Sequence, residues 1–205
     1  MVLSYTETKG TGKLSGLAFI YLNEHRAKSF AVDSIRVDDT ENNLFKYFAY
    51  GSNMSSRRLK ARVSVAKIVG VAVLKSHTLV FHKVSVDGSA KCDIAESEAE
   101  EVFGVLFELS RSEKAKLDRL EGLHHGYDEK EVEVQLGPGL KETATTYFAT
   151  NVDSGIRPFT WYKRHVLEGA KEAKLPLGYI EAIETVEADQ DPDSIREARE
   201  LAIYS

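Results

Sequence analysis

Leu44-Phe45-Lys46-Tyr47-Phe48-Ala49-Tyr50-Gly51-Ser52-Asn53-Met54-Ser55-Ser56-Arg57-Arg58 is the stretch around which the chain is read. Leu44 to Tyr50 is aromatic-rich and nearly all apolar apart from Lys46, which predicts a strand buried on at least one face. Gly51 turns in any direction without a Cβ clash, and Ser52 and Asn53 are residue types that cap helices. Helix formers run from Met54 through Leu59 and Ala61. The stretch therefore reads as strand, tight turn and helix. Such a helix start leaves several main-chain N–H groups without partners at the positive end of the helix dipole. Gly51, Ser52 and Asn53 would hold a carboxylate there, or an oxyanion formed during a reaction. The alternative is that Gly-Ser-Asn is a strand-to-helix connection with a good N-cap and nothing more.

Around this stretch the chain is that of an ordinary soluble domain. Its 205 residues suffice for one well-filled core, with 42% hydrophobic and 29% charged residues. A net charge of −5 disfavours a large nucleic-acid-binding face. No apolar run approaches the roughly 20 residues that span a bilayer. Cys92 is the single cysteine, so no intrachain disulfide forms, and a reducing, cytoplasmic setting is expected. Cys92 reads as a strand residue after the Asp87-Gly88 turn; a nucleophile with its pKa lowered by Lys91 is the less favoured alternative.

Residues 1–43 are expected to be an N-terminal extension, a hairpin or partly disordered, ahead of a domain over 44–191 and a C-terminal helix over 192–205. Within the domain, Ala66 to Val86 carries strand-sized, β-branched clusters and ends in the Asp87-Gly88 hairpin signal. Glu96 to Glu101 reads as a solvated acidic loop and Val102 to Leu109 as a strand. Ser110 to Leu120 changes to helical spacing, with Gly122 as C-cap. Strands are predicted at Glu129 to Leu136 and Thr143 to Thr150, then helices over Phe159–Ala173, Gly178–Glu187 and Asp193–Tyr204. Strands with one inserted helix, followed by helices, predict an α+β fold with a mostly antiparallel sheet or small barrel.

Glu121 is the carboxylate singled out for chemistry. It stands at the C-terminal end of a predicted helix among Leu117, Leu120 and Leu123, where apolar surroundings and the negative helix end raise its pKa. A glutamate poised nearer neutrality suits a general base acting on an ammonium group; a surface glutamate beside a C-cap glycine is the other reading. His77, His82, His124, His125 and His165 show no metal-ligand spacing, so no metal is expected. Gly51-Ser52 lacks the Gly-x-Ser-x-Gly elbow of Ser-His-Asp hydrolases. Arg57, Arg58, Lys60 and Arg62 read as one solvated helix face.

Taken together, Tyr47-Phe48-Ala49-Tyr50-Gly51-Ser52-Asn53-Met54, Leu117-Asp118-Arg119-Leu120-Glu121-Gly122, Tyr162-Lys163, Gly169-Ala170-Lys171-Glu172 and Leu175-Pro176-Leu177-Gly178-Tyr179 closely resemble the γ-glutamylcyclotransferase family, over residues 44 to 191. The resemblance implies a small mixed, mostly antiparallel β-barrel with flanking helices and no cofactor. It also implies conversion of a γ-glutamyl-amino acid to 5-oxoproline and the free amino acid. By the same resemblance Glu121 is the catalytic acid/base, Tyr50, Gly51, Ser52 and Asn53 form the substrate cradle, and Tyr127 and Tyr147 are pocket tyrosines. The expected partner is a small γ-glutamyl substrate, with neither nucleic acid nor membrane, and a homodimer is left open. Lys91-Cys92-Asp93-Ile94-Ala95-Glu96 replaces a strand that is often hydrophobic or glycine-rich in that family, so the leaving half of the substrate is not fixed. A γ-glutamyl-amine or a γ-glutamyl biosynthetic intermediate is the alternative substrate, and a binding protein without catalysis the alternative class.

Overall fold

The computed structural model describes residues 43–63 and 66–205. All but the last residue of the expected extension over 1–43 therefore lies outside the described residues.

The opening stretch folds as its composition dictates. Strand β1 (Leu44–Ala49) buries Phe45, Tyr47, Phe48 and Ala49, and Gly51 leads into a single 3-10 turn over Ser52–Met54. Helix α1 (Ser56–Arg62) starts later than the sequence suggests. Its N-cap is Ser55, whose hydroxyl accepts from the Arg58 N–H at 3.4 Å. Ser52 and Asn53 thus cap nothing, and their side chains are available for other contacts.

Two long strands follow, β2 (Ala66–Val84) and β3 (Ala90–Ser110), paired antiparallel almost throughout. The Glu96–Glu101 segment, expected as a loop, is part of β3. It pairs across to Lys75 and His77 of β2, and the Lys75–Glu101 ion pair shows why an acidic run is compatible with a strand on the solvated face. Helix α2 (Lys114–Glu121) ends at Gly122, whose φ of 75° is the left-handed C-cap the sequence predicts. β4 (Tyr127–Gly137) and β5 (Leu140–Ala149) form the next hairpin. The sheet runs β1-β3-β2-β4-β5 and closes into a barrel, with every neighbouring pair antiparallel except β1 and β5, which run parallel at Tyr47 and Thr145. This is the mixed, mostly antiparallel barrel that the family resemblance implies, and it agrees with the small barrel allowed by the strand order.

Phe48, Leu106, Phe107, Leu109, Val102 and Val134 are fully buried in the core on the two faces of the sheet, each worth about 1.5–3 kcal/mol on burial. Helices α3 (Thr160–Glu172), α4 (Leu177–Thr185) and α5 (Ser194–Leu201) flank it. α3 lies against the 3-10 turn so closely that a Cβ on Gly169 would stand 2.4 Å from the Ser55 nitrogen. The turn is thereby clamped between β1 and α3.

Candidate functional site

Seven residues were picked from the sequence, and the fold brings all seven to one small cavity. Tyr50, Gly51, Ser52 and Asn53 come from the end of β1 and its turn, Glu121 from the last position of α2, Tyr127 from the start of β4 and Tyr147 from β5. Three more residues line it: Tyr47, Cys92 and Tyr162. The cavity measures about 30 Å³, room for one or two waters. A larger space of about 710 Å³ between the β2–β3 ribbon and α4 contains none of these residues.

At the centre is the Glu121 carboxylate. Asn53 Nδ2 donates to its Oε1, and the Tyr47 hydroxyl stands 3.5 Å from the same oxygen. The Asn53 amide also donates to the Tyr47 hydroxyl at 3.2 Å, while its Oδ1 accepts from Arg62 at 3.1 Å. Burial raises the Glu121 pKa; Arg62, Arg58 and the bonds from Asn53 and Tyr47 hold it down without cancelling the effect. The sequence located this desolvation but not its source. Leu120 is exposed, and it is the tyrosines, with Asn53, that surround the carboxyl group.

The tyrosines are walls. Tyr50 donates its hydroxyl to the Tyr147 carbonyl at 2.6 Å, Tyr147 to Asp118 Oδ1 and Tyr127 to the Cys92 carbonyl, while Tyr162 accepts the Cys92 N–H at 3.0 Å. Burial pushes all four phenols upward, so they stay neutral and their hydroxyls hold the scaffold. By contrast, no described residue accepts from the main-chain N–H groups of Gly51, Ser52 and Asn53. Glu121 and the turn that carries these free amides therefore line one confined space.

One expectation is corrected, and the alternative weighed for Cys92 falls away. Arg58 does not lie on a solvated face: it is buried, and its guanidinium meets Glu200 at 2.6 Å and His165 Nε2 at 2.8 Å. Cys92 has no lowered pKa. Burial pushes its thiol up to about 12, which overrides the pull of Lys91.

The cavity opens outward into a vestibule of about 360 Å³ that shares Ser52, Glu121, Tyr127 and Tyr162 with it and adds Arg58, Arg62, Lys83, Lys91 and Arg196. This cationic rim could not be read from the sequence, because its members are spread over β2, β3, α1 and α5.

A γ-glutamylcyclotransferase from Bos taurus is 33% identical over 175 residues, covering 82% of this chain and 92% of the bovine one. The chain belongs to the γ-glutamylcyclotransferase family. The Homo sapiens γ-glutamylcyclotransferase is likewise 33% identical, over 75% of this chain and 84% of its own. A solved γ-glutamyl cyclotransferase superposes with a TM-score of 0.68 at 31% identity, covering 75% of this chain and 96% of that one. Residues 101–183 match the AIG2-like family. As a member of the γ-glutamylcyclotransferase family the chain is an enzyme with a small-molecule substrate. Among the described residues no helix is long and apolar enough to cross a membrane.

Proposed function

We propose that the enzyme converts a γ-glutamyl-amino acid to 5-oxoproline and the free amino acid, with Glu121 as its acid/base. The observation that carries this reading is the partly buried Glu121 carboxyl, oriented by Asn53 and Tyr47 and set opposite the free amides of the Gly51 turn.

Ring closure breaks the γ-amide C–N bond and forms a new one to the substrate's own α-nitrogen. The attacking nitrogen begins with three protons and ends with one; the departing nitrogen begins with one and ends with three. Two protons must therefore cross, and Glu121 relays them: it takes one from the α-ammonium, and as the tetrahedral intermediate collapses it delivers to the leaving nitrogen. A raised pKa suits a carboxylate that must both accept and give within one turnover. In this reading the free Gly51 and Ser52 N–H groups hold the oxyanion or the substrate's α-carboxylate. Because nucleophile and electrophile belong to one molecule, confinement by the tyrosine walls supplies much of the acceleration.

Replacing Glu121 by Gln preserves shape and removes the base. Release of 5-oxoproline from a panel of γ-glutamyl compounds is the test: Glu121→Gln turnover should fall by about 100-fold or more. Wild-type turnover in that variant would falsify the assignment. The lone Cys92, without a partner for a disulfide, supports a reducing, cytoplasmic location.

A further inference from the structure

Lys83, near the end of β2, is only 7% exposed, yet its ammonium has no hydrogen-bonding or ion-pair partner among the described residues. Its Nζ lies 4.7 Å from the centre of the Tyr127 ring, at the boundary between the inner cavity and the vestibule. Gly126 makes room for it: a Cβ there, where φ is 108°, would come within 2.9 Å of Lys83 Cε and 3.1 Å of Nζ.

Its neighbours Lys91, Arg196 and Arg58 each have an ion-pair partner, which Lys83 lacks. Lys91 faces Lys83 across the ladder, pairs with Asp87 at 2.8 Å and lies over the Trp161 and Tyr162 rings. Arg196 is held by Asp191 and Arg58 by Glu200. Among these four, Lys83 alone has no ion-pair partner, and it stands directly opposite another lysine, an arrangement that costs stability; Glu121 and Asp87 act on it only from beyond ion-pair distance. An ammonium of this kind gains when an anion arrives within contact.

We infer that Lys83 binds the α-carboxylate of the departing amino acid and so selects γ-glutamyl-amino acids over γ-glutamyl-amines. This rests on the function proposed above. Glu121 lines both spaces, as an acid/base serving the attacking and departing nitrogens must. Gly51 and Asn53 line only the inner space and Lys83 only the vestibule, so the glutamyl end points inward to the former and the leaving half lies with the latter. In an α-amino acid the carboxylate carbon is two bonds from the departing nitrogen, and Lys83 lines the same vestibule as Glu121. Burial lowers the lysine's pKa while Glu121 and Asp87 raise it, and a bound carboxylate adds to the second effect. The inference names the class that Lys91-Cys92-Asp93 left undecided in the sequence.

The test compares γ-glutamyl-alanine with γ-glutamyl-ethylamine, which differ by that carboxylate alone, in the full chain and in Lys83→Met and Lys83→Arg. The wild type should prefer γ-glutamyl-alanine by about 30-fold or more in kcat/KM, mostly through KM. Lys83→Met should bring the ratio to within about threefold of unity, and Lys83→Arg should restore a preference of at least about tenfold. Replacing a buried ammonium that lacks an ion-pair partner by a thioether should leave the melting temperature unchanged or higher. A wild-type preference below threefold, or a ratio retained in Lys83→Met, overturns the assignment of Lys83 and leaves the proposed function standing. If the wild type releases 5-oxoproline from neither compound, the proposed function itself has failed.

Discussion

Gly169→Ala sets two effects of opposite sign against each other. In an isolated helix the change would stabilise by about 1 kcal/mol, because alanine loses less backbone entropy than glycine. In α3 the new methyl would stand 2.4 Å from the Ser55 nitrogen and 2.6 Å from Met54 Cβ, and neither is the end of a flexible side chain. The turn must withdraw by about 1 Å to restore ordinary contact, and overpacking of this kind costs about 1–3 kcal/mol or more beyond what the helix gains. A net loss near 1–3 kcal/mol lowers the melting temperature of a domain this size by about 3–9 °C. The same displacement moves Asn53, two residues before Ser55, away from the Glu121 carboxylate it orients. Misplacement by 1 Å at a reacting centre costs about 100-fold in rate. Thermal unfolding and 5-oxoproline release should therefore both fall. Gly178→Ala is the control: it also lies in a helix but has open space around its position, so it should keep wild-type activity and melt at the same temperature or slightly higher. A Gly169→Ala protein that melts higher than wild type and keeps kcat/KM within threefold would refute the clamp.

Further outcomes are expected from the site's electrostatics. Activity should decline as pH falls through the folded pKa of Glu121, which lies above the ordinary 4.5, because the base is lost on protonation. Between 4.5 and that raised value the folded state binds the extra proton, so stability declines as pH rises through the window; Glu121→Gln should flatten this slope in denaturant titrations taken at several pH values. Glu200→Ala strips Arg58 of its counter-charge and should cost about 3 kcal/mol by urea unfolding at neutral pH. Through the bonds from His165 and Arg58, Glu200 is held down to about 2; its contribution is thus complete above 4.5 and lost as pH falls toward 2. Cys92→Ser should retain activity, since Tyr127 and Tyr162 hold its main chain and a serine hydroxyl can replace the thiol's bond to Tyr162; loss of turnover at unchanged stability would give the sulfur a role the geometry does not.

Much of this arrangement was legible before any coordinates. The Tyr50-Gly51-Ser52-Asn53 turn and Glu121 were visible because residue type fixed them locally: an aromatic strand breaking at glycine, and a carboxylate beside a left-handed cap. What stayed hidden depended on distance along the chain. Arg58 looked like a surface residue because α1 carries four basic side chains in seven positions, and only the arrival of α5 with Glu200 shows which of them is covered. Lys83 looked like one of many lysines until β4 supplied Gly126 and Tyr127 around it. The acidic run in β3 misled for the converse reason, since it pairs in register with a strand some twenty to thirty residues away, where Lys75 meets Glu101.

The parallel junction between β1 and β5 has a consequence for how the molecule matures. Tyr47 pairs with Thr145 there, the Tyr50 hydroxyl reaches the Tyr147 carbonyl, and Thr146 Oγ1 donates to the Phe48 carbonyl at 2.9 Å. All three links join segments nearly a hundred residues apart, so they are the slow, late-forming kind. The same few residues seal the cylinder and wall the reaction chamber. A nascent or partly melted chain whose seam is still open has nowhere to cyclise anything, and the first appearance of turnover during refolding should coincide with the last stitch of the barrel.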